Sequence, residues 1–137
     1  MTTHESDIAQ EILAAFYSLV DASKTLDTTA YFSHFDEDRF VGLNSDGTNW
    51  NSFEDLRVLI EHGFAAIECI DELVFTNVNV SVLDARTAVL VNEYVQSMTL
   101  KSGASIQIAG GGTQVWAKHS GPWKLVSVSA SNKPNAE

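Results

Sequence analysis

His34, Asp36 and Asp38 stand as H-x-D-x-D, and on a strand that alternation would put three metal-ligating side-chain types on one side. Here the segment straddles a helix end and a turn, so solvated charges are the expectation and no metal site is assigned. Glu61-His62 lacks the second histidine, one helical turn away, that a zinc helix needs, and His119 falls in a turn. The lone Cys69 sits in FAAIECIDEL, read as an apolar helical context in which a cysteine packs rather than reacts. Gly110 to Gly112 invite comparison with a phosphate cradle, which requires a strand before the glycines and a helix after them. The residues after Gly112 are TQVWAK, rich in strand formers and without a Lys-Ser or Lys-Thr pair, so a bend, a bulge or a close approach within a sheet is expected instead. Glu93 lies between Val91 and Val95 on one strand face, with Asn92 and Tyr94 on the other. An acid on an apolar face shifts its titration or finds a partner, so Glu93 is a candidate for acid–base work or for a contact between subunits.

The elements that would position these groups can be read from periodicity. Ile8, Ile12, Ala15, Phe16 and Leu19 recur at three and four, predicting a helix from Ser6 to about Ser23. A shorter helix is predicted from Leu26 to Phe35, then a strand at RFVGL, a turn at NSDG and a brief return strand at TNW. Ser52 opens a third helix: SFED is a capping signature, and Phe53, Leu56, Leu59, Ile60, Phe64 and Ile67 form its stripe. Four strands come next, at 74–84, 87–100, 105–118 and 123–131. On the last, Trp123, Leu125, Ser127, Ser129 and Ser131 should share one face, and Lys124, Val126, Val128 and Ala130 the other. Helices and a short hairpin first, then an antiparallel meander, define an α+β domain.

The 137 residues suit a single domain over 1–137, with 1–5 and 133–137 expected as loose ends. With 45% hydrophobic and 19% charged residues the composition is that of a soluble globular protein, and no apolar run approaches the length needed to span a bilayer. The acidic N-terminus does not read as a secretory leader, so a cytoplasmic location is expected. Eighteen acids against 8 bases give a formal charge of −10, which works against nucleic acid and anionic membrane as partners.

Three segments carry a family resemblance: LVDAS ahead of DEDRFVGLNSDG, WNSFEDL at 50–56, and TQVWAKHSGPWKLVSV at 113–128. Through them the chain resembles the nuclear-transport-factor-2-like superfamily and, within it, the SnoaL-like group. The resemblance implies a curved mixed or antiparallel sheet wrapped around three N-terminal helices, a cystatin-like cone with an internal cavity. It specifies fold better than function, since the superfamily hosts isomerases, cyclases, dehydratases, transport factors and association domains. Ketosteroid isomerase supplies the best mechanistic template, and its base, tyrosine and second acid fall near Leu43, Phe16 and Thr113 to Val115, none of which matches in type.

The pocket candidates are accordingly Phe16, Trp50, Tyr94, Gln107, Thr113, Ser127 and Ser129, the two serines standing near positions where relatives often carry histidine. Dimerisation through the convex sheet face, common in the family, would use Val89, Val91, Glu93, Val95, Gln114, Trp116 and Val126. The leading expectation is a homodimer binding an unknown small molecule in the cone, without a cofactor and with no catalytic residue assigned. One alternative is a lyase, isomerase or cyclase acting on a small, partly apolar substrate through Tyr94, Glu93 or a serine at 127 or 129. The other is a homodimeric association domain with no ligand.

Overall fold

The computed structural model describes residues 3–119 and 121–134. Three helices, α1 (Thr3–Lys24), α2 (Thr28–Phe32) and α3 (Phe53–Ala66), lie against a six-stranded sheet. Its strands are β1 (Val41–Leu43), β2 (Asn49–Trp50), β3 (Ile67–Asp84), β4 (Thr87–Leu100), β5 (Ser105–Ala117) and β6 (Lys124–Asn132), in the order β2-β1-β6-β5-β4-β3. All neighbours are antiparallel except β1 and β6, so the sheet is mixed.

The apolar stripe of α1 is buried through Ile8, Ile12, Phe16, Leu19 and Val20, against Trp116, Leu125, Leu90 and Phe53 from sheet and α3. Leu26 takes a left-handed φ of 57°, and Asp27 then caps α2, its Oδ1 accepting from the Ala30 N–H at 3.1 Å. This second helix is shorter than the predicted span because the chain turns into sheet-like pairing at its end: the Leu125 N–H donates to His34 O and the Asp36 N–H to Leu125 O. Ser52 caps α3 as predicted, its hydroxyl accepting from the Asp55 N–H at 3.4 Å while Asp55 reaches back to the Asn51 N–H at 3.0 Å.

The largest departure from the predicted elements is at the start of β3. It begins at Ile67, seven residues before the predicted strand, directly after α3. The residues turned to the concave side are Ile67, Ile70, Leu73, Phe75, Val78, Val80 and Val82, each opposite an inward residue of β4. Their spacing is interrupted by register shifts between Ile67 and Cys69 and between Ile70 and Glu72, each inserting one extra residue. Two bulges in succession therefore imitate the three-residue step of a helix. Cys69, expected to pack within a helix, is exposed on this strand, with its thiol donating to Asp71 at 3.3 Å. That neighbouring carboxylate pushes the thiol's pKa up.

Part of each expected loose end is tied into the fold. Thr3 to Glu5 form the first turn of α1, and Lys133 is tied to the sheet by its N–H to Ala109 O at 2.7 Å and its ammonium to Glu93 at 2.6 Å. Residues 1, 2 and 135–137 of the expected loose ends lie outside the described residues.

Candidate functional site

Between the concave sheet face and the helices lies a cavity of about 660 Å³. Phe16, Leu19 and Val20 of α1, Tyr31 of α2, Trp50 of β2 and Ile60 and Phe64 of α3 form one wall. The sheet supplies Leu73 and Phe75 from β3, Asn92, Tyr94, Gln96 and Met98 from β4, Gln114 from β5 and Val128 and Ala130 from β6. Among the described lining residues there is no Asp, Glu, Lys or Arg, and His62 of α3 is the one histidine.

The polar groups stand in a definite order along the sheet. Asn92, Tyr94 and Gln96 are alternate residues of β4 and so project to one side. Opposite Asn92 and Tyr94 on β5 are Gly112 and Gly110, of which Gly112 lines the cavity with backbone alone. The glycines pair in register with both β4 and β6, and none of the three has a positive φ. What demands glycine is crowding: a Cβ at Gly110, Gly111 or Gly112 would run into the carbonyl oxygen of Ser131, Asn92 or Ser129 respectively. The close-approach alternative thus describes this run, whereas the β6 bulge falls elsewhere, opposite Val115 and Trp116.

Two phenols face the cavity. Tyr31 packs among Phe32, Phe35 and Phe64, and burial, with the neighbouring Tyr94, pushes its pKa up to about 12. Tyr94 lies against Phe75 with ring centroids 5.6 Å apart, and burial raises its pKa as well. Both hydroxyls therefore stay protonated and able to donate across the physiological range.

Of the pocket candidates, Phe16, Trp50 and Tyr94 line this cavity, whereas Gln107, Thr113, Ser127 and Ser129 do not. Gln107 pairs with Ser97 and Thr113 with Val91, partners on the odd-numbered, convex side of β4. Ser127 and Ser129 pair with Val115 and Thr113 on that same convex side. Strict alternation fails on β6 because Val126 is an extra residue without a partner on β5, so Leu125 points inward and the next inward residues are Val128 and Ala130. Thr113 and Ser129 instead edge a shallow convex groove with Val91, Glu93 and Lys133.

The interface candidates divide in the same way. Val89, Val91, Glu93 and Val95 are convex, and Val126 is half-buried in the bulge. Gln114 and Trp116 are on the concave side: Gln114 lines the cavity, and Trp116 is wholly buried in the core. Their parity is set by the turn after β4, closed by the Leu100 N–H to Ala104 O bond at 2.8 Å, which places Leu90 opposite Gln114 and Ala88 opposite Trp116. Counting pairs back from that turn was the signal that assigns Gln114 inward and Gln107 outward. Asn92 and Gln96 were legible as facing the same way as Tyr94. Tyr31 and His62 carried no signal, because their place depends on how α2 and α3 dock.

The other singled-out histidine group does not converge. His34 points Nδ1 at Ala30 O, 2.9 Å, and Nε2 at the Ser18 hydroxyl, 3.1 Å, away from Asp36, which pairs with Arg39 at 3.3 Å.

A curved mixed sheet closed over three helices, with a cavity between, is the cystatin-like α+β architecture of nuclear-transport-factor-2-like proteins. Residues 12–135 match the model of the SnoaL-like domain, and the chain belongs to that family. No curated protein matches it. Among solved structures, a candidate scytalone dehydratase from Novosphingobium aromaticivorans superposes with a TM-score of 0.87 at 10% identity, covering 98% of this chain and 89% of that one. A nuclear-transport-factor-2-like protein from Salmonella enterica gives 0.84 at 16% identity, covering 97% and 96%. The association domain of Caenorhabditis elegans CaMKII gives 0.73 at 19% identity, covering 95% and 99%. At these identities the likeness is one of fold.

Proposed function

We propose that the cone binds an uncharged, mostly apolar small molecule. The observation that carries this reading is the cavity lining: aromatic and aliphatic walls with a few neutral amides and phenols, and no Asp, Glu, Lys or Arg among the described lining residues. A volume of about 660 Å³ lies within the range of small-molecule sites. An ionic ligand would lose its hydration there with no carboxylate, ammonium or guanidinium among the described lining residues to pair with, which costs on the order of several kcal/mol, as for burying an unpaired ion. A lyase, isomerase or cyclase would draw a base from the lining, where the isomerase template places none and where His62, the one residue type there that could serve, has no acid beside it in the lining. Binding therefore stands ahead of catalysis.

The test is calorimetric titration with a neutral hydrocarbon probe, 2-isopropenylnaphthalene, on the protein and on Ala130→Trp, whose indole would occupy part of the cavity. Binding to the parent, at least tenfold weaker in the variant, is expected; equal affinity for both proteins would place the probe elsewhere.

Self-association through the convex face is the second reading, and a separate observation favours it. Val74, Val91 and Val95 are 45%, 48% and 39% exposed on that face, an apolar surface that a second copy would cover. Association domains among the structural likenesses support the same reading. Glu93, ion-paired with Lys133, would sit within that contact.

A further inference from the structure

The amide of Gln114 is 8% exposed and sits beside the fully buried Trp116 on the same side of β5. Trp116 Nε1–H donates to Gln114 Oε1 at 2.9 Å. An indole nitrogen can only donate, so the partner atom must be the amide oxygen, and the usual ambiguity between the two ends of a glutamine disappears. With its oxygen turned to Trp116, the Gln114 side chain, which lines the cavity, has Nε2 and its two hydrogens left for the cavity. Asn92 lies diagonally across the strand pair, since Leu90 faces Gln114 and Asn92 faces Gly112. It too is 8% exposed and lines the cavity, and no protein group among the described residues hydrogen-bonds to its side chain. No side-chain nitrogen or oxygen sealed from the surface lacks a partner among the described residues, so the Asn92 amide is open to the cavity.

Resting on the reading of the cone as a ligand site, we propose that Gln114 selects a ligand carrying a hydrogen-bond-accepting oxygen, a carbonyl or ether, at its inner end. The selection arises from polarity. Trp116 holds the oxygen end of the amide toward itself, so the end left for the cavity is the NH2, which donates and does not accept, and a neutral acceptor oxygen is what its two unpartnered N–H bonds require. Asn92, free to turn its amide, adapts to whichever second group the ligand places beside that oxygen. A hydrocarbon of the same shape would leave the Gln114 hydrogens unpaired when it displaced the water around them.

The test compares 2-acetylnaphthalene with 2-isopropenylnaphthalene, which share size and outline and differ by C=O against C=CH2. Affinities of both are measured on the whole chain and on Gln114→Met, with Gln107→Met on the convex side as control. The ratio of the two affinities should move toward the hydrocarbon by on the order of tenfold in Gln114→Met and stay unchanged in Gln107→Met. Because Gln114→Met removes the acceptor for Trp116 and can impair folding, a second readout uses the unaltered protein. In a ¹⁵N–¹H spectrum the Gln114 side-chain NH2 signals should move downfield with the ketone and not with the hydrocarbon. Binding of both probes with neither a change of ratio nor that shift would overturn the role of Gln114 and leave the cone as a ligand site. Failure of both probes to bind the folded parent protein would overturn the ligand site itself, and the role of Gln114 with it.

Discussion

Tyr31 touches three phenylalanines, Phe32, Phe35 and Phe64, and its hydroxyl shares the cavity with Tyr94. Its pKa of about 12 in the folded chain, against 10.0 for an exposed tyrosine, ties stability to pH at the alkaline end. Between those two values the unfolded chain releases a proton that the folded chain keeps, so the folded state binds more protons and stability falls as pH rises. Below pH 10 the contribution is complete; by pH 12 up to roughly 3 kcal/mol should be gone, since each pKa unit corresponds to about 1.4 kcal/mol. Tyr31→Phe removes the titrating group and keeps the ring. Denaturant unfolding measured from pH 9 to 12 should show a shallower loss of stability in the variant, and identical slopes would mean that Tyr31 is more open to solvent than its packing indicates.

Strand β5 shows how a single element sets the shape of the site. Its three glycines let β4 and β6 approach so closely that any Cβ would meet a carbonyl oxygen, and Gly111 and Gly112 line the cavity with backbone alone. Gly112→Ala should therefore cost stability by forcing the strands apart, about 1 to 3 kcal/mol as for other overpacked sites, measured by chemical denaturation. A neutral effect would show that the strand relaxes freely there.

At this scale the sequence was partly legible. Helix α1 and the capped α3 announced themselves by stripe and by Ser52 with Asp55, and β4 and β5 by β-branched runs bounded by turns. What defeated the reading of β3 and β6 was the bulge, whereas on β5 the sides of Gln107, Thr113, Gln114 and Trp116 follow from the turn after β4. Ile67, Ile70 and Leu73 imitate a helix, and the step from Leu125 to Val128 inverts the sides of Ser127 and Ser129, because one inserted residue exchanges the two faces of a strand. Bulges arise from sheet curvature, which no local pattern records. Phe16, Trp50 and Tyr94 reached the cavity because each lies where the helical or strand period is unbroken or is set by a nearby turn.

For the molecule as a whole, the two sides of the sheet carry separate roles in this account. The concave side encloses the cavity, and the convex side exposes Val74, Val91 and Val95 around the Glu93–Lys133 pair. Val91→Asp places a charge in the proposed contact, where desolvation without a partner is costly. Light scattering should report twice the 14.9 kDa chain mass for the parent protein and a monomer for the variant. A parent that is itself a 14.9 kDa species at micromolar concentration would remove the convex face as an interface. Among the described residues no helix is long and apolar enough to cross a membrane, so neither apolar surface belongs to a membrane-spanning helix.

The measurement that bears most directly on the cone as a ligand site is a methyl-resolved NMR titration with 2-isopropenylnaphthalene, because methyl groups mark both sides of the sheet. Saturable shifts are expected at Leu19, Leu73, Met98, Val128 and Ala130, which line the cavity, with Val74, Val91 and Val95 unmoved. Shifts confined to those three convex valines, or no saturable shift with either this probe or 2-acetylnaphthalene, would contradict the account.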